Sequence, residues 1–183
     1  GLASNGTGDI SSFTATSSAV APIVGNITVT PVYTYNDVSC TGTAETFSIT
    51  VNPSPLVNFS ENDQVIVTGE TTTSVDLTSP TSGVTFAWTV SVPTGITGVT
   101  TLTGTDNIPA ETLINSTTGP LDVVYTAIAT GDVGFDCEGL PTDYTVTVNP
   151  QAQVNPVDDQ VVCNDENLVI EFSTIVTGGT TTF

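Results

Sequence analysis

One stretch of the chain occurs twice. The first copy is Cys40-Thr-Gly-Thr-Ala-Glu-Thr-Phe-Ser-Ile-Thr-Val-Asn-Pro53, and the second is Cys137-Glu-Gly-Leu-Pro-Thr-Asp-Tyr-Thr-Val-Thr-Val-Asn-Pro150. The offset is the same at both ends (137 − 40 = 97 and 150 − 53 = 97). Phe47, Ile49 and Val51 return as Tyr144, Val146 and Val148. Large apolar residues two apart, separated by Ser or Thr, give a strand with one buried and one wet face. Asn-Pro then ends the strand, because proline has no N–H for the ladder. A strand that stops at a fixed connector and returns at domain-sized spacing reads as the last strand of a module in a tandem array.

The copy between residues 56 and 153 is the complete one. It offers Asp63–Val67, Ser74–Leu77, Val84–Val90, a turn-rich stretch with a short strand near Thr101, then Glu111–Asn115, Leu121–Thr130 and Tyr144–Asn149. Seven short strands between turn signals predict an immunoglobulin-like β-sandwich. Val84, Phe86, Trp88 and Val90 share one face, and a Trp on the third strand of a sandwich is a usual core anchor. Trp88, Phe86, Tyr144 and, in the first copy, Phe47 are the expected core anchors.

The flanks read as parts of the same module. Residues 1–55 carry the later strands, with Phe13–Thr16 as one strand and Ile27, Val29, Tyr33 and Tyr35 alternating along a long one. Residues 154–183 carry the early strands: Asp159-Gln-Val-Val-Cys163 matches Asp63-Gln-Val-Ile-Val67, and Leu168–Phe172 matches the second strand. Both ends are therefore expected to fall inside modules. One reading is a window on a longer array. The other is a fibre in which residues 154–183 of one chain complete residues 1–53 of the next by strand addition. The expected fold class is all-β: tandem immunoglobulin-like modules in an extended array.

Composition narrows the function. There is no Lys, Arg or His against 19 Asp plus Glu, a formal charge of −19. Nothing here neutralises phosphates, so nucleic acid is excluded as a partner of the chain's own charge. Without His or Lys there is no Ser-His-Asp or Cys-His arrangement and no Schiff base. Paired carboxylates for glycoside hydrolysis remain formally open, but the acids are scattered over turns. The expectation is not an enzyme. No apolar run is long enough to insert in a membrane as a helix. Apolar residues make up 38% of the chain, too many for an acidic disordered tail.

Five motifs, taken together, resemble a known repeat family: Asp-Gln-Val-Val-Cys-Asn, Gly-Thr-Gly-Asp-Ile-Ser-Ser-Phe-Thr-Ala-Thr, Ile-Thr-Val-Thr-Pro-Val-Tyr, Cys-Thr-Gly-Thr and Phe-Ser-Ile-Thr-Val-Asn-Pro-Ser-Pro. The chain is similar to the tandem PKD-like, Ig-like repeats of giant Bacteroidetes cell-surface adhesins of the SprB-like gliding-motility type. The resemblance implies type IX secretion and display on the surface of a Gram-negative bacterium. It further implies a filament used for adhesion to surfaces or polysaccharide, with gliding in motile species. In such repeats an early and a late Cys look like a within-module pair. Cys40 would then pair upstream and Cys163 downstream, while Cys137 meets Val67 where the family has Cys. No disulfide within this chain is expected.

Other candidates are weaker. Glu61, Asp63, Asp158 and Asp159 cluster near module junctions and are candidate Ca²⁺ ligands, since Ca²⁺ takes carboxylate and carbonyl oxygens. A plain acidic surface is the alternative, and no cofactor is otherwise expected. Trp88, Tyr33, Tyr35 and Tyr125 are the aromatics that could make a sugar platform. Sequons stand at Asn5, Asn26, Asn58 and Asn115. The leading expectation is a structural repeat of an extracellular filament or giant adhesin, a stiff, protease-resistant stalk whose partners are neighbouring modules or chains and surface polysaccharide. A carbohydrate-binding module and a subunit polymerised by strand complementation are the alternatives.

Overall fold

The computed structural model describes residues 2–131, 134 and 137–183. Gly1, where the first partial module is expected to begin, and Asp132, Val133, Phe135 and Asp136 lie outside the described residues. The described residues are all-β with no helix, and so none long and apolar enough to cross a membrane. Contacts divide the chain into two compact units.

The first unit comprises Gly1–Leu56, Ser79–Thr85 and Ala129–Leu140. Its named strands in the N-terminal part are β1 (Ile23–Val29), β2 (Val32–Tyr35), β3 (Val38–Thr41) and β4 (Glu45–Val51). β1 and β4 pair antiparallel from Ile23 opposite Val51 to Val29 opposite Glu45. β2 and β3 form a hairpin. Its turn residues Asn36 and Asp37 both have positive φ, 46° and 61°, as a two-residue type I′ hairpin turn requires. The single long strand expected through Ile27, Val29, Tyr33 and Tyr35 is thus two strands. Pro31 stands at the break: it cannot donate to a ladder, and its carbonyl accepts Gly42 N–H at 2.8 Å.

Phe47 is not a core anchor here. It sits opposite Ile27 in the β1–β4 ladder and is 46% exposed. The alternation is right, but among the described residues β1 and β4 pair only with each other, and an isolated two-stranded ribbon buries little of its apolar face. Phe13–Thr16, expected as a strand, forms none for the related reason that no neighbouring strand pairs with it among the described residues.

The second unit comprises Val57–Thr78, Phe86–Ile128 and Pro141–Phe183. The strands from here on are β5 (Asn58–Phe59), β6 (Gln64–Val67), β7 (Leu77–Thr78), β8 (Val84–Ser91), β9 (Ile96–Thr97), β10 (Thr103–Gly104), β11 (Ile114–Asn115), β12 (Leu121–Gly131) and β13 (Thr142–Asn149). One sheet has the order β10-β8-β12-β13-β6. β12 and β13 are antiparallel, from Leu121 opposite Val148 to Ala127 opposite Thr142. β6 runs parallel to β13, placing Gln64 opposite Val146 and Val67 opposite Asn149. The other pairs are β5–β7 and β9–β11. Bridges at Val75–Ile108 and Thr71–Thr112 join the segments around 70–78 and 108–115.

Alternation fills the core from both sets. Val123, Tyr125 and Ala127 on β12, with Tyr144, Val146 and Val148 on β13, are all buried, as are Leu77 on β7, the bridged pair Val75 and Ile108, and Leu113 just before β11. Trp88 is 3% exposed and stands edge-on to Tyr125, with ring centroids 5.7 Å apart. Its indole N–H donates to Asp106 O at 2.8 Å, so the one polar atom of the ring is satisfied. Gly104 lies opposite Trp88 across β10–β8. A Cβ there would sit 2.5 Å from Trp88 Cζ2, so only glycine allows the strand this close. In residues 154–183 neither Asp159–Cys163 nor Leu168–Phe172 forms a strand, although their counterparts in the complete copy include β6 and β7.

Candidate functional site

The polar groups that matter most in the second unit are inside it. Around Glu111 the side chains alternate: Glu111, Leu113 and Asn115 point inward, while Thr112 and Ile114 face out. Ile114 is 49% exposed, whereas Glu111 is 4% and Asn115 5%. Glu111 Oε1 accepts the backbone N–H groups of Thr100 (2.7 Å) and Thr101 (3.1 Å) and the Thr100 hydroxyl (2.9 Å). Its Oε2 accepts the Tyr125 hydroxyl at 3.0 Å. A buried carboxylate is tolerated when donors surround it, and here two backbone amides and two hydroxyls do so. Burial first, and then the charge of Glu111, hold the Tyr125 phenol well above its ordinary range.

Asn115 is the second buried staple. Its Nδ2 donates to Gly119 O and Val148 O, both at 2.8 Å, and its Oδ1 accepts Thr117 N–H (2.9 Å) and the Thr117 hydroxyl (2.7 Å). One side chain therefore ties the β11 end, the turn after it and β13 together. Of the four sequons, Asn115 has its amide nitrogen buried and committed, while Asn5, Asn26 and Asn58 are exposed.

Tyr144, an expected core anchor, is 2% exposed and packs on Phe59 at 5.3 Å. Phe86 is half-buried on β8. The Tyr144 hydroxyl is buried without a hydrogen-bond partner among the described residues. The Gln64 amide donates to the Thr73 carbonyl (3.1 Å) and accepts the Thr73 N–H (2.9 Å). The Tyr144 phenol is pushed up to about 12, chiefly by burial, with the charges of Asp63 and Glu61 adding and Gln64 opposing.

The four acids expected as Ca²⁺ ligands are not gathered. Among the described residues no group of three or more His, Cys, Asp or Glu side chains comes together to hold a metal. Asp63 Oδ1 accepts Thr145 N–H at 2.8 Å, which fixes where β6 joins β13. Glu61, Asp158 and Asp159 are exposed. Cys40 and Cys163 are exposed and free, and Cys137 is free and half-buried. Of the four aromatics considered for a sugar platform, Trp88 (3%) and Tyr125 (1%) are core, while Tyr33 (68%) and Tyr35 (66%) are exposed on β2. A depression of about 310 Å³ is lined by Thr68, Asn115, Thr117, Gln151, Gln153 and Ile175 among others. No ionisable side chain or thiol lines it, so it offers hydrogen bonds and apolar contact but no acid–base chemistry.

What these features define is a β-module whose buried polar side chains hold it together. Residues 63–152 match the model of the PKD-like domain family, so a PKD-like domain occupies that part of the chain. The match begins at Asp63, one residue before β6, and runs just past Asn149, where β13 ends. No curated protein matches the chain.

Proposed function

We propose that the chain is a structural repeat segment of a long extracellular filament or giant surface adhesin, with no catalytic role. The observation that carries this is the PKD-like domain at 63–152 flanked on each side by sequence copies of parts of itself. A module repeated in series spaces a binding tip from a surface, and the properties that matter are then mechanical. The buried apolar core, the Glu111 and Asn115 staples and the Pro-containing connector Asn52-Pro-Ser-Pro55 favour stiffness. The uniform negative charge opposes lateral association. The absence of Lys and Arg removes every site for trypsin-like proteases. The resemblance to gliding-motility adhesins extends this reading to a Gram-negative cell surface, type IX export, and contact with polysaccharide.

The test is direct. Antibodies raised against residues 63–152 are used for immunogold labelling of intact source cells, with cytoplasmic and secreted fractions blotted in parallel. Gold at repeated positions along surface filaments is the expected result. Antigen confined to the cytoplasm overturns the proposal.

A further inference from the structure

We propose that the 116–120 turn of the PKD-like domain is a seat for residues 174–178, and that this contact braces the connector by which the chain leaves the domain. Both partners lie within the second unit. Thr177 N–H donates to Thr118 O at 2.7 Å, and the Thr177 hydroxyl reaches the same carbonyl at 3.3 Å. Gly178 has φ +80°, and a Cβ there would stand 2.5 Å from Pro120 Cδ. A Cβ on Gly119 would stand 3.0 Å from Thr177 Oγ1. The approach is close because a glycine stands on each side of it.

The seat is built by bonds that do not involve its occupant. The buried Asn115 side chain donates to Gly119 O and accepts Thr117 N–H and the Thr117 hydroxyl. Its remaining donor bond, to Val148 O, fixes the turn to β13. Ser116 N–H and the Ser116 hydroxyl both donate to Gly95 O at 3.0 Å. Thr118 O is therefore presented by a preorganised turn, and seating does not have to order it.

The seated residues are held in turn. Thr174 Oγ1 accepts Val176 N–H at 3.0 Å. Ser173 O accepts Asn155 N–H, and Ser173 Oγ accepts the Asn155 side-chain amide, both at 2.8 Å. Residues 150–155 are the connector that follows β13. One end of it continues β13 directly. The other end returns to Val148 on the same strand through Ser173, residues 174–178, the turn and Asn115. A connector closed into a ring has fewer ways to bend than the same residues strung free. Little apolar surface takes part, since Ile175 is 49% exposed, so the brace is a hydrogen-bonded latch of modest strength. This deepens the stalk reading and rests on it for the use made of the stiffness. The contact itself does not depend on where the protein is found, so a cytoplasmic antigen would leave the seat standing, and a failed seat would leave the surface reading standing.

The test is NMR on the full chain labelled with ¹⁵N and ¹³C. A scalar coupling across the hydrogen bond, from Thr177 N to the Thr118 carbonyl carbon, is expected. Thr177 amide exchange should be slowed about tenfold relative to an unstructured chain, the protection one net hydrogen bond supports. In a weakly aligned sample the dipolar couplings of residues 174–178 should fit the same alignment as β12 and β13. Gly119→Val and Gly178→Ala push the partners apart from opposite sides. Each should remove the scalar coupling, return Thr177 exchange to the unstructured rate and average the dipolar couplings of 174–178, with the Trp88 fluorescence melt unchanged. A Thr177 amide that exchanges at the unstructured rate in the native chain, dipolar couplings of 174–178 already averaged toward zero, or Thr177 protection that survives both substitutions each overturns the proposal.

Discussion

Replacing Glu111 by Ala should be among the most damaging single changes the second unit can take, although in sequence Glu111 looks like a surface acid. The substitution deletes four acceptor interactions at once: the amides of Thr100 and Thr101 and the hydroxyls of Thr100 and Tyr125. A hydrogen bond to a charged group contributes about 1.5–3 kcal/mol, and a buried donor left without a partner costs about 1–3 kcal/mol. The Thr100 hydroxyl can rotate to another partner, whereas the two amides and the Tyr125 hydroxyl are fixed by β-structure and ring packing. Water entering the vacated space recovers part of the loss. The net destabilisation is about 3–5 kcal/mol. For a domain of this size that lowers the melting temperature by roughly 15–30 °C. Glu111→Gln keeps an acceptor for the Thr100 and Thr101 amides and offers Tyr125 a donor instead, so it should cost about 1–2 kcal/mol. Trp88 is the only tryptophan, buried and in contact with Tyr125, so its fluorescence during urea and thermal unfolding reports on this unit alone. A loss below about 1 kcal/mol for Glu111→Ala, or equal losses for Ala and Gln, would refute the claim that the acceptors, and not the side-chain volume, carry the effect.

Four further outcomes follow from the same geometry. Gly104→Ala drives a methyl group into the Trp88 ring and should cost about 1–3 kcal/mol, seen as a lower urea midpoint with a red-shifted Trp88 emission. Leu113→Ala empties a fully buried site and should cost about 2–5 kcal/mol in the same assay, while Ile114→Ala beside it, 49% exposed, should cost far less. Alkaline titration should unfold the second unit. The Tyr144 phenol titrates near 12 in the fold against 10.0 for the free group, and Tyr125 is raised further, so the unfolded chain loses protons first. Stability is then complete below pH 10 and falls through pH 12, and a flat stability curve over that window contradicts the burial of both rings. An oligosaccharyltransferase acting on the folded protein should modify Asn58 and spare Asn115, whose nitrogen donates to Gly119 O and Val148 O; peptide mapping that finds sugar on Asn115 would contradict that arrangement.

What could be read in the sequence and what could not divide along one physical line. β12 and β13 were legible because each carries its own alternation, and Trp88 because it alternates with Phe86 and Val90. The inward turn of Glu111 was legible only in part. The alternation through Leu113 places Glu111 and Asn115 on the buried face, but a Leu-Ile pair masks it, and Ile114 is the residue left outside. β5 was missed because two residues carry no period, and Phe59 is held by Tyr144, far away in the chain. The long strand through Tyr33 broke at a proline whose meaning depended on where the partner strand ended.

The repeat isolates this division. Val67–Glu70 and Cys163–Glu166 make the same turn with the same two hydrogen bonds, because those bonds link residues three apart and nothing else is needed. The residues just before each turn differ in outcome: Gln64–Val67 is a strand and Gln160–Cys163 is not. Their side chains are closely alike, Gln-Val-Ile-Val against Gln-Val-Val-Cys, so strand propensity does not separate them. What separates them is β13, which lies beside the first, while among the described residues no strand pairs with the second. A turn is encoded by the segment that makes it, whereas a strand is encoded jointly with its neighbour. The same argument applies to Phe47 and Tyr144, aromatic residues that share a position in the repeat and differ sharply in burial, 46% against 2% exposed. If that is the cause, supplying a peptide of residues 57–78, which in the complete copy contributes β5, β6 and β7, should bury Phe47 in the first unit. The aromatic proton shifts of Phe47, followed by NMR on the full chain as the peptide is added, measure this. Shifts that stay at their free values while the peptide saturates would mean that the exposed ribbon is not waiting for a partner strand.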